Sequence, residues 1–416
     1  MIQTGTREVP LAHWRSQVPS VQPLLDQISR AVPDVRLSAY DGSCSGPADA
    51  GVSISFADPR AFVRILRAPR GLGLARAWIA GEIQTEGDLH ALATNEALLR
   101  SPRLVGVALT TCVRTAWALG CREILSAGPT AVEYRRAGAA LRPVKRDLAG
   151  SEFHYGRSAQ FYRHLLGPSM VYSCGMFTAG AQTLANAQNR KHEVICAKLR
   201  LDQDSRVLDI GCGWGSFLGY ARAQHGCRGI GITASRSQYE YARKASAGAG
   251  GVEIRYGDYR RLLPIRDLTA AASIGMYEHV GERDSAGFFQ LVRKCLPAGA
   301  RYLNQAIIWQ KTGGHRLRRN AFTERYIFPH GQLIALPKQL TDLEKAGFRI
   351  VSAETYGENY AVTLRRWIAN LTREWDACTS LEGEARVRAW HMYLTGALTR
   401  FEDGSLDLAQ VLAEAR

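Results

Sequence analysis

The 416-residue chain contains no apolar run of the roughly 18 to 20 residues that a bilayer-spanning helix needs. Its most hydrophobic stretch, Leu104 to Val113, is soon broken by Arg114 and reads as a buried helix. The amino terminus, Met1-Ile-Gln-Thr, lacks the basic start and apolar core of a secretory signal, so the protein is expected to remain in the cytoplasm. The nine cysteines form no C-x-x-C pair and show no Cys/His ligand spacing, which argues against a disulfide framework and a zinc site. They read as reduced, mostly buried thiols, and no metal is expected. Acidic residues are in deficit: 53 Lys and Arg face 38 Asp and Glu, a net charge of +15. Such a charge exceeds what solubility requires and suits an anionic partner, either nucleic acid or an anionic lipid surface.

At this length two or three domains can each bury a substantial core. Residues 1–150 combine an alternating stretch, Gly51-Val-Ser-Ile-Ser-Phe-Ala, with helical patterns around Arg60–Leu66 and Leu92–Leu99. A basic segment with Arg135, Arg136, Arg142, Lys145 and Arg146 follows. This part is expected to be a small α+β accessory domain ending in a basic linker. Residues 151–416 read differently. From Arg206 strands alternate with helices: Val207–Ile210, a helix to about His225, Gly229–Thr233, a helix across Gln238–Ala245, and Val252–Tyr256. Ala270–Ile274, a helix near Phe288–Cys295 and Arg301–Ile308 continue the rhythm. The expected fold is α/β, a Rossmann-like doubly wound sheet that binds its ligand outside the carboxyl ends of the strands.

The most informative stretch is Arg206-Val-Leu-Asp-Ile-Gly-Cys-Gly-Trp-Gly-Ser-Phe217, where a strand breaks into alternating glycines and restarts with helical spacing. Gly211, Gly213 and Gly215 let the chain bend and bring bare backbone to a ligand, and the next helix offers unpaired N–H groups at its start. A dinucleotide site of the G-x-G-x-x-G type would place an Asp or Glu about 20 residues on, at the tip of the second strand. Thr233 and Ala234 stand there instead, with Gln238 one turn into the following helix. The G-x-G-x-G pattern after Asp209 looks like the S-adenosylmethionine (SAM) loop of Rossmann-like methyltransferases.

Further segments occur with that loop in one order: Leu166-Gly-Pro-Ser-Met170 with Tyr172-Ser-Cys174, Ser273-Ile-Gly-Met-Tyr-Glu-His-Val-Gly281, Arg325-Tyr-Ile-Phe-Pro329 and Tyr360-Ala-Val-Thr-Leu-Arg-Arg-Trp367. Together they resemble the cyclopropane-fatty-acid synthase and mycolic acid cyclopropane synthase family over nearly all of 151–416. The resemblance implies transfer of a SAM methyl group to the cis double bond of an unsaturated acyl chain in a membrane phospholipid. It places Tyr172 and Ser173 against SAM, with Asp209, Gly211 and Gly213 in the loop. Thr233 and Gln238 would lie near the ribose, Asp258 and Tyr259 beside the adenine, and Ile274 on the cofactor. It also implies a catalytic cluster around a bicarbonate ion, formed by Cys174, Glu278, His279, Gln305, Ile307 and Tyr360.

Two departures from the family pattern affect the product. Asn304-Gln305 stands where the family usually has histidine, and His154-Tyr155-Gly156 with Ala159 replaces a His-Tyr-Asp segment followed by Asn. Glutamine hydrogen-bonds an anion but carries no proton at neutral pH. Loss of a proton from the added methyl closes a cyclopropane; a hydride shift before that loss gives a methylene branch, which a reductase partner could convert to a methyl branch. A third reading is an inactive SAM- or lipid-binding homologue. A nucleic-acid methyltransferase is disfavoured, because Gly275-Met-Tyr-Glu stands where an N/D-P-P-Y/F tetrapeptide would be and no RNA-binding signature is present. His315-Arg-Leu-Arg-Arg319 and Arg135–Arg146 would meet anionic headgroups, giving peripheral attachment to the inner face of the membrane. The resemblance leaves a homodimer open.

Overall fold

Val207, Leu208 and Ile210, and Ile230 and Ile232 on the next strand, are all buried, as strands of a parallel sheet covered on both faces must be. The computed structural model describes residues 18–68, 71–88, 90, 102–134, 143–177, 183–248, 250–310 and 321–416. In it Arg206–Ile210, Arg228–Thr233, Val252–Tyr256, Ala270–Ile274 and Arg301–Trp309 are parallel strands of one seven-stranded sheet. Arg206–Ile210 lies between Arg228–Thr233 and Ala270–Ile274, so the winding reverses beside it. That reversal opens a crevice at the carboxyl ends of the two strands. The expected α/β doubly wound sheet is therefore present.

Two strands were not anticipated. Leu406–Ala415 runs antiparallel between Arg301–Trp309 and Phe348–Thr355 and completes the sheet. Its alanine-rich sequence carries no strand preference; pairing on both sides imposes the conformation. Alternation then sorts the side chains. Leu208, Ile210, Tyr302 and Val411 join Phe288, Phe289 and Val292 on one face, while Val207, Ala272, Leu303 and Leu412 meet Ile195, Cys196, Leu199 and Phe217 on the other. The second face is the one on which the polar residues Asp209, Gln305 and Gln410 fall, because each is two residues from one of its members.

By their internal contacts the residues form two compact units, Met1–Glu133 with Gly383–Thr399 and Tyr134–Glu382 with Arg400–Arg416. Residue 150 lies within the helix Pro143–Tyr155, in the second unit. The first unit holds a four-stranded sheet in which Val35–Ala39 and Val52–Phe56 are parallel, flanked by Cys44–Ser45 and Ile83–Glu86. Leu25, Leu37 and Phe62 form its core, and the buried Arg76 and Glu133 make a two-point ion pair at 2.7 and 3.0 Å. The patterns at Leu92–Leu99 and His315–Arg319, and the segment from Arg135 to Arg142, lie outside the described residues. Among the described residues, no helix is long and apolar enough to cross a membrane.

The reading of Leu104–Val113 as a buried helix needs correction. The stretch belongs to the helix Pro102–Ser126, which Gly120 interrupts with φ 78° and ψ 172°. Leu109, Val113 and Trp117 recur every fourth residue on an outward face, 56 %, 50 % and 86 % exposed, while Cys112, Thr115 and Ala116 are buried. The helix has more apolar positions than its contact with the core can cover. Leu109→Gln and Trp117→Gln are accordingly expected to change stability by no more than about 0.5 kcal/mol, whereas Cys112→Gln in the same helix should cost about 1 kcal/mol or more by burying an unpaired amide. Thermal unfolding of the three variants checks this.

Candidate active site

The strand Arg206–Ile210 ends in a turn that its glycines make possible. Gly211 and Gly213 adopt φ of 82° and 55°, and a Cβ on Gly211 would stand 2.6 Å from Met276 Cβ. The amides of Gly211 and Cys212 both donate to Ile232 O at 2.9 Å, which pins the loop to the neighbouring strand. Beyond Gly215 the helix Ser216–His225 begins. Its first N–H groups point back toward the loop, as those of any helix start do.

Over this turn lies an open cleft of about 1080 Å³, its solvent-filled mouth included. Every residue expected to hold the cofactor lines it: Tyr172 and Ser173 from the segment before the helix Leu184–Leu199; Asp209, Gly211 and Gly213 from the loop; Thr233 and Gln238 from the second strand and its helix; and Asp258, Tyr259 and Ile274 from the next strand ends. Thr233 Oγ1 donates to Gln238 Oε1 at 2.8 Å. The Gln238 oxygen is thereby engaged and its amide nitrogen remains to donate, which suits a ribose hydroxyl. Asp258 is more constrained than expected. It caps the helix Tyr259–Leu262 and grips Arg260 at 2.9 and 2.6 Å, and Arg260 reaches on to Asp147 at 3.0 Å.

Asp209 is 2 % exposed, and its Oδ1 has no hydrogen-bond partner. Burial pushes its carboxyl up to about 7, opposed by the charge of Lys191. Lys191 is itself buried, lines the same cleft and donates from Nζ to Ser173 Oγ at 2.8 Å. Burial lowers its ammonium to about 7, with Cys174 and Asp209 acting in the other direction. Nearby, Gln188 Nε2 donates to Ser173 O at 2.8 Å. Sequence reasoning missed Lys191 and Gln188. Their signal was positional: with Ala187, Ile195 and Leu199 they fall on the buried face of one helix, where polar side chains need a reason.

The catalytic candidates divide by the elements that carry them. Glu278 and His279 lie in a 3₁₀ turn, Tyr277–His279, three residues beyond the strand Ala270–Ile274 and not at its end. Glu278 Oε1 accepts from Ile307 N at 2.7 Å, whereas Oε2 has no partner. Burial raises this carboxyl to about 7. Gln305, two residues before Ile307, is fully buried; its Oε1 accepts from Gln410 Nε2 at 2.8 Å and its own Nε2 is unpartnered. Gln305 also lies directly opposite Ile274 on the neighbouring strand. Gln305 thus stands on the strand next to Ile274, which lines the cleft.

His279 is set apart from these groups. Its Nε2 lies 2.9 Å from the Tyr155 hydroxyl, it faces the cofactor cleft, and burial depresses it to about 4. It is a neutral imidazole at physiological pH. Cys174 and Tyr360 come from other elements. The Cys174 Sγ donates to Gly175 O at 3.0 Å with Thr363 Oγ1 4.0 Å away, and burial pushes the thiol up to about 12, so it stays protonated. Tyr360, one turn before Thr363 on the helix Gly357–Arg373, packs its ring against Phe401 and Trp367 at centroid distances of 4.5 and 6.0 Å.

The cleft has the features that a SAM molecule requires. The free Oδ1 of Asp209 suits a cationic group, the Gln238 amide suits a ribose, and Gly211 and Gly213 keep the loop free of side chains. Residues 143–411 match the family described as mycolic acid cyclopropane synthetase. A probable fatty acid methyltransferase of Mycobacterium tuberculosis is 33 % identical over 392 residues, 91 % of this chain and 90 % of that protein. The cyclopropane-fatty-acyl-phospholipid synthase of Escherichia coli K12 is 31 % identical over 272 residues, 65 % of this chain and 69 % of that protein. A crystal structure of a mycolic acid cyclopropane synthase complexed with SAH and CTAB superposes with a TM-score of 0.61 at 27 % identity, covering 64 % of this chain and 98 % of that one.

Two outcomes follow for the cleft. Gly211→Ala is expected to cost more than about 1 kcal/mol from its positive φ alone and to weaken SAM binding further by displacing Met276; calorimetric titration with SAM measures it. Lys191→Met and Asp209→Asn are each expected to destabilise the fold, and the double variant to lose less than their sum by about 1 kcal/mol. Thermal unfolding of the four proteins reads that coupling, and strict additivity would show the two charges to be independent.

Proposed function

The chain belongs to the mycolic acid cyclopropane synthetase family and is a SAM-dependent methyltransferase; we propose that its methyl acceptor is the cis double bond of an unsaturated fatty acyl chain in a membrane phospholipid, and that the product is a cyclopropane. When bound, SAM supplies an electrophilic methyl group on a positively charged sulfur. A double bond is a weak nucleophile, and its methylation leaves a carbocation on the acyl chain that water would trap. The residues beside the cleft must therefore be dry, stabilise positive charge and receive one proton.

The observation that carries this reading is the free oxygen of Glu278. Its buried carboxylate, on the turn that carries the cleft-lining Met276 and His279, accepts from Ile307 N through Oε1, with Oε2 unpartnered. A carboxylate raised to about 7 is ionised for roughly half of the molecules at neutral pH and is close to the ideal strength for a general base. Proton removal from the added methyl, with closure of the new carbon–carbon bond, would give the ring. Gln305 would donate from Nε2 to a bicarbonate ion, for which the family resemblance also implies Cys174, Ile307 and Tyr360; the protonated thiol of Cys174 can donate only weakly.

A second product has support because relatives that match 91 % of the chain are named probable fatty acid methyltransferases. If the base stands farther from the methyl carbon, a hydride shift precedes proton loss and a methylene branch results. The positive charge of the chain supports attachment to the anionic inner face of the membrane, where such phospholipids lie.

Incubation with methyl-labelled SAM and vesicles of unsaturated phospholipid, followed by mass analysis of the released acyl chains, tests the assignment. A label retained in a saturated ring is expected, and label in RNA or in no lipid at all would defeat it. Glu278→Gln should lower kcat by about 100-fold or more while SAM affinity changes little. Because Glu278 acts as an ionised base, the wild-type rate should rise as pH increases through about 7.

A further inference from the structure

The hydrogen bonds of Gln305 lead outward to a lysine. Lys198, on the helix Leu184–Leu199, places Nζ 2.9 Å from Gln410 Oε1, 2.9 Å from Glu354 Oε1 and 3.4 Å from the Tyr356 hydroxyl. Tyr356 in turn donates to Glu354 Oε2 at 2.5 Å. An ammonium has three protons to give and no lone pair, so all three of its positions are used and none can accept. Gln410 must therefore turn its oxygen toward Lys198 and its amide nitrogen the other way. That nitrogen lies 2.8 Å from Gln305 Oε1. The orientation of the second amide follows from the first, and the Nε2 of Gln305 is left as a donor with no partner in a fully buried side chain.

The strands explain why these three residues meet. Gln410 and Gln305 are directly opposed in the antiparallel pair, and both fall on the sheet face covered by the helix that carries Lys198. On its other side Gln305 opposes Ile274, which lines the cofactor cleft. Buried donors without a partner are uncommon in native proteins. An isolated glutamine could turn either end toward the site; this one cannot without breaking a hydrogen bond to Gln410, which is itself fixed by a charge.

The geometry points to Lys198 and Gln410 as positioning residues for the reaction: they order a one-way chain of hydrogen bonds that leaves the buried Gln305 amide nitrogen, on the strand beside the cleft-lining Ile274, as the unused donor for a small oxyanion. This inference rests on the proposed role of the Glu278 cluster in proton removal. At a position where the family resemblance implied histidine, the chain has a group that holds an anion and cannot exchange a proton. The proton-accepting step then falls to Glu278 or to the anion itself.

Gln410→Glu tests the polarity, because it changes almost no volume and reverses the chain. A carboxylate accepts from both Lys198 and Gln305, so Gln305 would turn its nitrogen toward residue 410 and its oxygen toward the site. Methyl transfer to phospholipid vesicles is measured in degassed buffer against added bicarbonate, with SAM affinity and the unfolding temperature recorded in parallel. Gln410→Glu is expected to keep the unfolding temperature and SAM affinity, lower kcat at least tenfold and raise the bicarbonate concentration for half-maximal rate at least tenfold. Lys198→Met, which frees the pair to turn either way, should show a smaller loss of the same kind, and Lys198→Arg should restore most of it. Wild-type kcat and bicarbonate response in both Gln410→Glu and Lys198→Met would overturn the inference, as would losses that only track falling thermal stability. A wild-type rate indifferent to bicarbonate would overturn the oxyanion assignment, and a wild-type enzyme that methylates no acyl lipid would remove the reading beneath it.

Discussion

Burial of ionisable and polar groups at the carboxyl ends of the parallel strands is the constraint on which the site depends. Charges removed from water are costly unless each finds a counter-charge or a hydrogen bond. Asp209 and Lys191 offset one another across the loop and the helix that covers it, and both are drawn toward neutrality by burial. Glu278 has a single backbone donor in place of a counter-charge. Each of these groups retains an unfilled valence or a shifted affinity for protons, and such groups respond strongly when a charged ligand arrives.

The two sets of polar groups differ in their surroundings. Around the cofactor cleft the groups are arranged to recognise: a carboxylate for a cation, an amide for hydroxyls and bare backbone at the glycines. The groups to which we assign the proton come from other elements, with Gln305 one strand further on. The carboxyl of Glu278 sits near neutrality, the thiol of Cys174 is locked protonated, and His279 is neutral and turned toward Tyr155. Of these, Glu278 is the group best matched in strength to accept a proton at physiological pH.

The first unit builds its own core, and its helix Pro102–Ser126 leaves Leu109, Val113 and Trp117 in solvent. The Mycobacterium tuberculosis relative, which matches 91 % of the chain, extends across this unit, whereas the match to the mycolic acid cyclopropane synthetase family begins at residue 143. The family match thus leaves Met1–Glu133 outside it but includes Gly383–Thr399, the part of the first unit that the chain supplies from its carboxyl-terminal half.

The sequence alone determined the parallel strands, the glycine turn and the family, because each leaves a local trace: runs of buried aliphatic residues, three glycines at alternate positions, short segments in a fixed order. Through the family resemblance it also named ten of the residues that line the cleft, several of them at the strand ends and turns that the βαβ rhythm marks. It did not reveal Leu406–Ala415, whose conformation comes from pairing with two distant strands, or Lys191, whose role depends on facing Asp209. Nor could it orient Gln305. Only the tertiary structure decided that, because the direction of an amide is set by the partners that surround it, and here those partners come from residues 198 and 410, far apart in the chain and adjacent only once the sheet has closed.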